Sequence, residues 1–155
     1  MKVLAAIDTS ESSHKALEQA LRFITHQETT FILLGVEAPI MLPPTSVVPG
    51  FLGDDPQIAF QEEAELSQIE QEHTAAALRW AENLCQQAGV SCTSCSEYGD
   101  PKHVICDVAR QEQCDLIVVG SHGYGVFERM LMGSVSDYVV HHAHCAVMVV
   151  RDGAS

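Results

Sequence analysis

From residue 120 to 136 the chain reads GSHGYGVFERMLMGSVS: Gly120, two residues, Gly123, nine residues, Gly133, then Ser134. A glycine leaves backbone bare, so a ligand can approach without meeting a Cβ, and at a strand end it also permits a turn with positive φ. Gly133 and Ser134 open a helical pattern whose first N–H groups lack intrahelical acceptors and whose dipole end is positive. That is the chemistry of an anion cradle suited to a polyphosphate. Ser134 and Ser136 add hydroxyl donors, while His122 and Arg129 are the basic side chains of the stretch. With so few cations, neutral N–H groups would carry the attraction and a divalent metal would share the charge compensation. No Walker lysine and no GxGxxG occurs. A glycine and serine turn with an ordinary helix cap accounts for the same residues, and both readings stand at this level.

Asp8 is the second element of interest. It ends the first apolar run, and in a doubly wound sheet the crevice lies beside the first strand, where a carboxylate reaches a ribose hydroxyl or a metal. The alternative is that Asp8 caps the helix that follows. His122 points either to the phosphates or to solvent; Tyr124 and Phe127 either shield a ligand or pack. HHAHC, 141 to 145, invites a zinc reading. His141 and His142 diverge by about 100 degrees on a helix, however, which favours solvated histidines at a helix end. Cys92 and Cys95 form C-x-x-C inside a strand pattern, where i and i+3 face opposite sides, unlike a redox pair that starts a helix. No residue stands out as a general base for water, so Asp8, His122 and Ser134 fit binding better than catalysis.

The elements that must position these residues follow from periodicity. Apolar, β-rich runs at 2 to 8, 30 to 37, 90 to 97, 115 to 120 and 145 to 151 alternate with patterns of period 3.6. The first helix carries Leu17, Ala20, Leu21 and Ile24 as a stripe, with Ser10, Ser12 and Ser13 available as N-caps. A long helix over about 57–88 sets Leu66, Ile69, Ala76, Trp80 and Leu84 along one side and stops before Gly89. Its Glu62, Glu63, Glu65, Glu70 and Glu72 form a solvated acidic face. Asp100 caps a third helix with Pro101 at its first position, and the last helix, 134 to 143, turns Val135 and Val139 inward. Strand and helix in alternation imply right-handed crossovers, hence one α/β domain over residues 1–155 with a twisted parallel sheet. The segment 38–57 holds five of the six prolines and reads as a loop on the carboxyl edge, either a lid or a plain excursion.

Composition narrows the partners. Eight Lys and Arg against 21 Asp and Glu give a net charge of −13, which repels nucleic acid and anionic membranes. The N-terminal apolar run is too short for a secretory signal, and no stretch approaches a membrane span, so the expected location is the cytoplasm. The six cysteines then read as free thiols, mostly small core residues.

AAIDTSESSHKAL, ILLGVE, GDPKHVICDVA, CDLIVVGSHGYG and LMGSVSDYVVHHAHCAVMVV, in this order, resemble the universal stress protein family across nearly the whole chain. The resemblance implies a Rossmann-like five-stranded parallel sheet of order 3-2-1-4-5 and a homodimer formed through the C-terminal strand. It also implies the family's ATP-binding branch, which the G-x2-G-x9-G-S pattern marks. Carried over by position, Asp8 lies near ribose and phosphates and Val36 at the strand end that pairs with adenine. Gly120, His122, Gly123, Gly133, Ser134, Val135 and Ser136 form the phosphate and ribose loop, and Ala6, Ile7, Ser121 and Gly125 flank it. Asp8 is also the implied metal contact, through Mg-ATP or its Mn counterpart. Ala146 departs from the family, which often has proline there. The implied role is an ATP-binding regulator of stress or energy state, with at most slow ATPase activity or autophosphorylation. The rivals are an AMP or cyclic AMP binder, or an interaction module that docks a protein partner with the nucleotide incidental.

Overall fold

The computed structural model describes residues 1–24, 28–39, 56–122 and 132–151, with backbone alone for 56–63. The elements are β1 (Lys2–Ala6), α1 (Glu11–Phe23), β2 (Thr30–Glu37), α2 (Pro56–Gln87), β3 (Ser91–Tyr98), α3 (Pro101–Gln111), β4 (Leu116–Gly120), α4 (Ser134–His142) and β5 (Ala146–Val150). The strands form one parallel sheet of order β3-β2-β1-β4-β5. That is the order the family resemblance implies, with the switch point between β1 and β4.

Strand alternation divides the core in two. Val3, Ala5, Phe31, Leu33 and Val118 pack under α1 and α2, whereas Leu4, Ile32, Leu34, Ile117 and Val119 pack under α3 and α4. Each fully buried leucine here contributes about 1.5–3 kcal/mol through area removed from water. Of the three candidate serines, Ser10 caps α1, its side chain accepting from Ser13 N at 3.2 Å. Asp100 caps α3 by accepting from Lys102 N at 3.0 Å, with Pro101 at the first position as expected.

The face of α2 differs from the expected stripe. Thr74, Ala77, Leu78, Ala81 and Cys85 are buried, whereas Leu66 and Ile69 are 40% and 46% exposed and Ala76 is exposed. Trp80 and Leu84 pack at the margin of the core, where Trp80 stacks on His14 with ring centroids 3.9 Å apart. The cause is close approach. A Cβ on Gly35 would lie 2.4 Å from Thr74 Cγ2, so the helix meets the sheet through small side chains and the bulky ones fall outside.

Cys92 packs on the first core half and Cys95 on the second, which confirms opposite faces. His141 and His142 are exposed at the end of α4, each Nδ1 2.8 Å from the carbonyl oxygen four residues earlier. Among the described residues no cluster of His, Cys, Asp and Glu is arranged to hold a metal, and no helix is long and apolar enough to cross a membrane.

Candidate functional site

At the carboxyl edge of the sheet, β1 ends at Ala6, and Ile7 N donates to Leu34 O at 2.8 Å, carrying the ladder one step further. Asp8 then leaves the sheet. Its Oδ1 accepts from Ser10 N at 2.9 Å and from Ser10 Oγ, and its own N–H donates to Ser13 Oγ at 3.2 Å. Asp8 therefore does not cap α1; it holds the serine that does. Oδ2 makes no hydrogen bond among the described residues.

The end of β4 is fastened to the start of α4. Ser121 N donates to Val150 O at 2.8 Å, and Ser121 O accepts from Gly133 N at 2.6 Å and Ser136 Oγ at 3.0 Å. Ser121 Oγ and His122 Nδ1 are 2.9 Å apart, and His122 N donates to Ser12 Oγ at 3.3 Å. Gly133 is the N-cap of α4 and supplies no side-chain hydrogen bond; Asp137 N is the first N–H to reach back, to Gly133 O at 2.9 Å. The N–H groups of Ser134, Val135 and Ser136 thus have no acceptor among the described residues, as is usual for a helix start.

Two expectations about this stretch are corrected. Gly120 does not have a positive φ, and its bare Cα serves packing: a Cβ there would lie 2.5 Å from Ser12 Oγ, 2.6 Å from Ser12 C and 2.8 Å from Ser13 N. The first turn of α1, not a ligand, occupies that space. Ser136 is buried, and its hydroxyl donates to Ser121 O and Gly133 O, so its backbone rather than its side chain faces outward chemistry. Gly133 likewise approaches backbone, with a would-be Cβ 3.1 Å from Ser121 O.

These ends surround a cavity of about 770 Å³, within the range of small-molecule sites. Ala6, Ile7, Asp8, Val36, Gly120, His122, Gly133, Ser134, Val135 and Ser136 all line it. Ser121 does not; it is fully buried behind the wall. Gly123 and Gly125, with Tyr124, Phe127 and Arg129, lie outside the described residues, as does most of the 38–57 segment. The lining also includes Thr9, Ser13, Leu34, Ala38 and Val119, and a wall from the helices: Glu70, His73 and Thr74 of α2, with Pro101 and Ile105 of α3. Ser13 was findable as an α1 cap candidate. The α2 wall was not, because it depends on how that helix is rotated on the sheet. No cysteine lines the cavity.

Comparison with known proteins agrees over the whole length. The model of the universal stress protein family matches residues 1–151. The universal stress protein Sll1388 of Synechocystis sp. is 32% identical, covering 97% of this chain and 97% of its own. The solved structure of the universal stress protein UspA from Lactobacillus plantarum superposes with a TM-score of 0.80 at 27% identity, over 97% of each chain. A universal stress protein family protein from Arabidopsis thaliana, solved with AMP bound, superposes with a TM-score of 0.66 at 26% identity, over 99% of this chain and 93% of that one.

Proposed function

The chain belongs to the universal stress protein family, and from that premise we propose that it is an ATP-binding regulator whose site is the carboxyl-edge cavity. One observation carries this reading: the start of α4, whose N-cap Gly133 has no side chain and whose first three N–H groups have no acceptor among the described residues, lines the same cavity as the Asp8 carboxylate. N–H groups and the helix dipole suit phosphates. The AMP-bound relative supports adenine as the base. The apolar wall from Ile7, Leu34, Val36 and Ile105 suits a purine, and Val36, at the end of β2, offers backbone groups to its edge.

Asp8 fits a metal in one respect: Oδ1 is fixed by Ser10 while Oδ2 has no hydrogen-bond partner among the described residues. Magnesium or manganese would there neutralise charge between the carboxylate and the phosphates. Ser10 and Ser13 hold Asp8 in place, and Ser121 holds α4 in place. Both arrangements position groups for binding, and the proposal is of a binder. A second copy pairs through the outer edge of β5, an open strand edge carrying half-buried Val147, Met148 and Val149.

Titration calorimetry with ATP, AMP and cyclic AMP in magnesium tests the site. ATP is expected to bind tightest, because it alone extends a phosphate chain along α4. Asp8→Ala is expected to weaken ATP binding about 10-fold or more, equivalent to ~1.4 kcal/mol, and to affect AMP less. Saturation by none of the three at millimolar concentration, with the protein folded, would overturn the proposal.

A further inference from the structure

Away from the cavity, α2 and β3 bring two thiols together. The last turn of α2 closes with Gly89 N donating to Gln86 O at 3.1 Å and Val90 N to Cys85 O at 3.0 Å, Gly89 having φ +69°. The chain therefore reverses at once, and β3 runs back beneath the turn it has just left. Cys85, fully buried on α2, and Cys92, half-buried on β3, belong to the same half of the core. β3 is an edge strand, bonded to β2 alone, so Cys92 lies next to the open margin of the sheet. Cys95, three residues on, faces the opposite core half.

We propose that Cys85 and Cys92 form an oxidation site, in which a hydroperoxide converts the two thiols into an intramolecular disulfide that pins the end of α2 to the edge of the sheet. The order of events follows from access. Burial pushes the Cys85 thiol up to about 12, and the neighbouring Cys92 thiol adds to the rise. Cys92 is the more exposed and reacts first. Its thiolate attacks the terminal peroxide oxygen; the O–O bond breaks, an alcohol (or water) leaves with a proton, and Cys92 becomes a sulfenic acid. Cys85 then attacks the Cys92 sulfur, its proton goes with the departing hydroxyl as water, and the S–S bond forms. The two thiols lose two electrons together and the peroxide gains them.

The test is oxidation of the full chain with hydrogen peroxide, followed by intact mass and thiol titration after unfolding. The expected result is a loss of two hydrogens and of two of the six thiols. The change should persist in Cys95→Ser and disappear in both Cys85→Ala and Cys92→Ser, with circular dichroism checking that each variant is folded. In Cys92→Ser, whose side chain is only half-buried, folding is the less disturbed, so that variant is decisive on its own. Mass gain by oxygen alone in the wild type, or a disulfide that survives Cys92→Ser, would overturn the proposal. Nucleotide binding is not involved, so failure here leaves the cavity reading untouched.

Discussion

Gly120 shows how much a single missing Cβ decides. Its neighbours within 3 Å of the would-be carbon include two backbone atoms of α1, Ser12 C and Ser13 N, which cannot rotate away. Gly120→Ala should therefore force β4 and α1 apart, costing about 1–3 kcal/mol as overpacking does. Urea unfolding checks this: the midpoint falls while the slope stays constant, and an unchanged midpoint would refute the packing role. Ser10 is a second such residue, because it both caps α1 and donates to Asp8. Ser10→Ala should cost about 1 kcal/mol through the cap. It should also release Asp8, so ATP affinity falls in calorimetry beyond what any stability loss accounts for. Asp8 was legible in the sequence as a carboxylate at a strand end, yet its anchoring was open between cap and ligand contact. The reason Gly120 is glycine was not legible, because its partner Ser12 is more than a hundred positions away.

At the scale of elements, short β-rich apolar runs such as Leu116–Gly120 marked the strands by length and composition, and period 3.6 marked most helices. The rotation of α2 escaped it. Alanine, threonine and cysteine at 74, 77, 81 and 85 look unremarkable beside Leu66, Ile69 and Trp80, and only the bare Gly35 opposite explains why the small set faces inward. Close packing of this kind has an electrostatic consequence. Burial raises Cys85 on α2 from 9.0 to about 12 and Cys114, just before β4, from 9.0 to about 11. The folded chain keeps these protons where the unfolded chain releases them. Below pH 9 both states hold the protons and stability is unaffected; above it the unfolded state is favoured. Stability should thus fall as pH rises from 9 toward 11, by up to ~1.4 kcal/mol per unit for each thiol. Urea midpoints in reductant across that window test it, and Cys85→Ala should flatten the slope even though it lowers stability at pH 7.

For the molecule as a whole, the net charge of −13 stands against the anion its cavity is proposed to bind. Two forces of different range are at work. Repulsion between the acidic exterior and a triphosphate acts over many ångströms and is screened by salt, whose Debye length is ~10 Å at 0.1 M. Attraction by the N–H groups of Ser134, Val135 and Ser136 acts at contact, where screening is weak. A lysine-built phosphate site loses affinity as salt rises, because its long-range attraction is what salt removes. Here salt removes the opposing term. With magnesium held saturating, ATP affinity should stay level or tighten as sodium chloride rises from about 50 to 200 mM, a range over which the Debye length shrinks toward the size of the site. Calorimetry at the two concentrations decides it. A severalfold loss of affinity would mean that cationic side chains, not the backbone of α4, hold the phosphates.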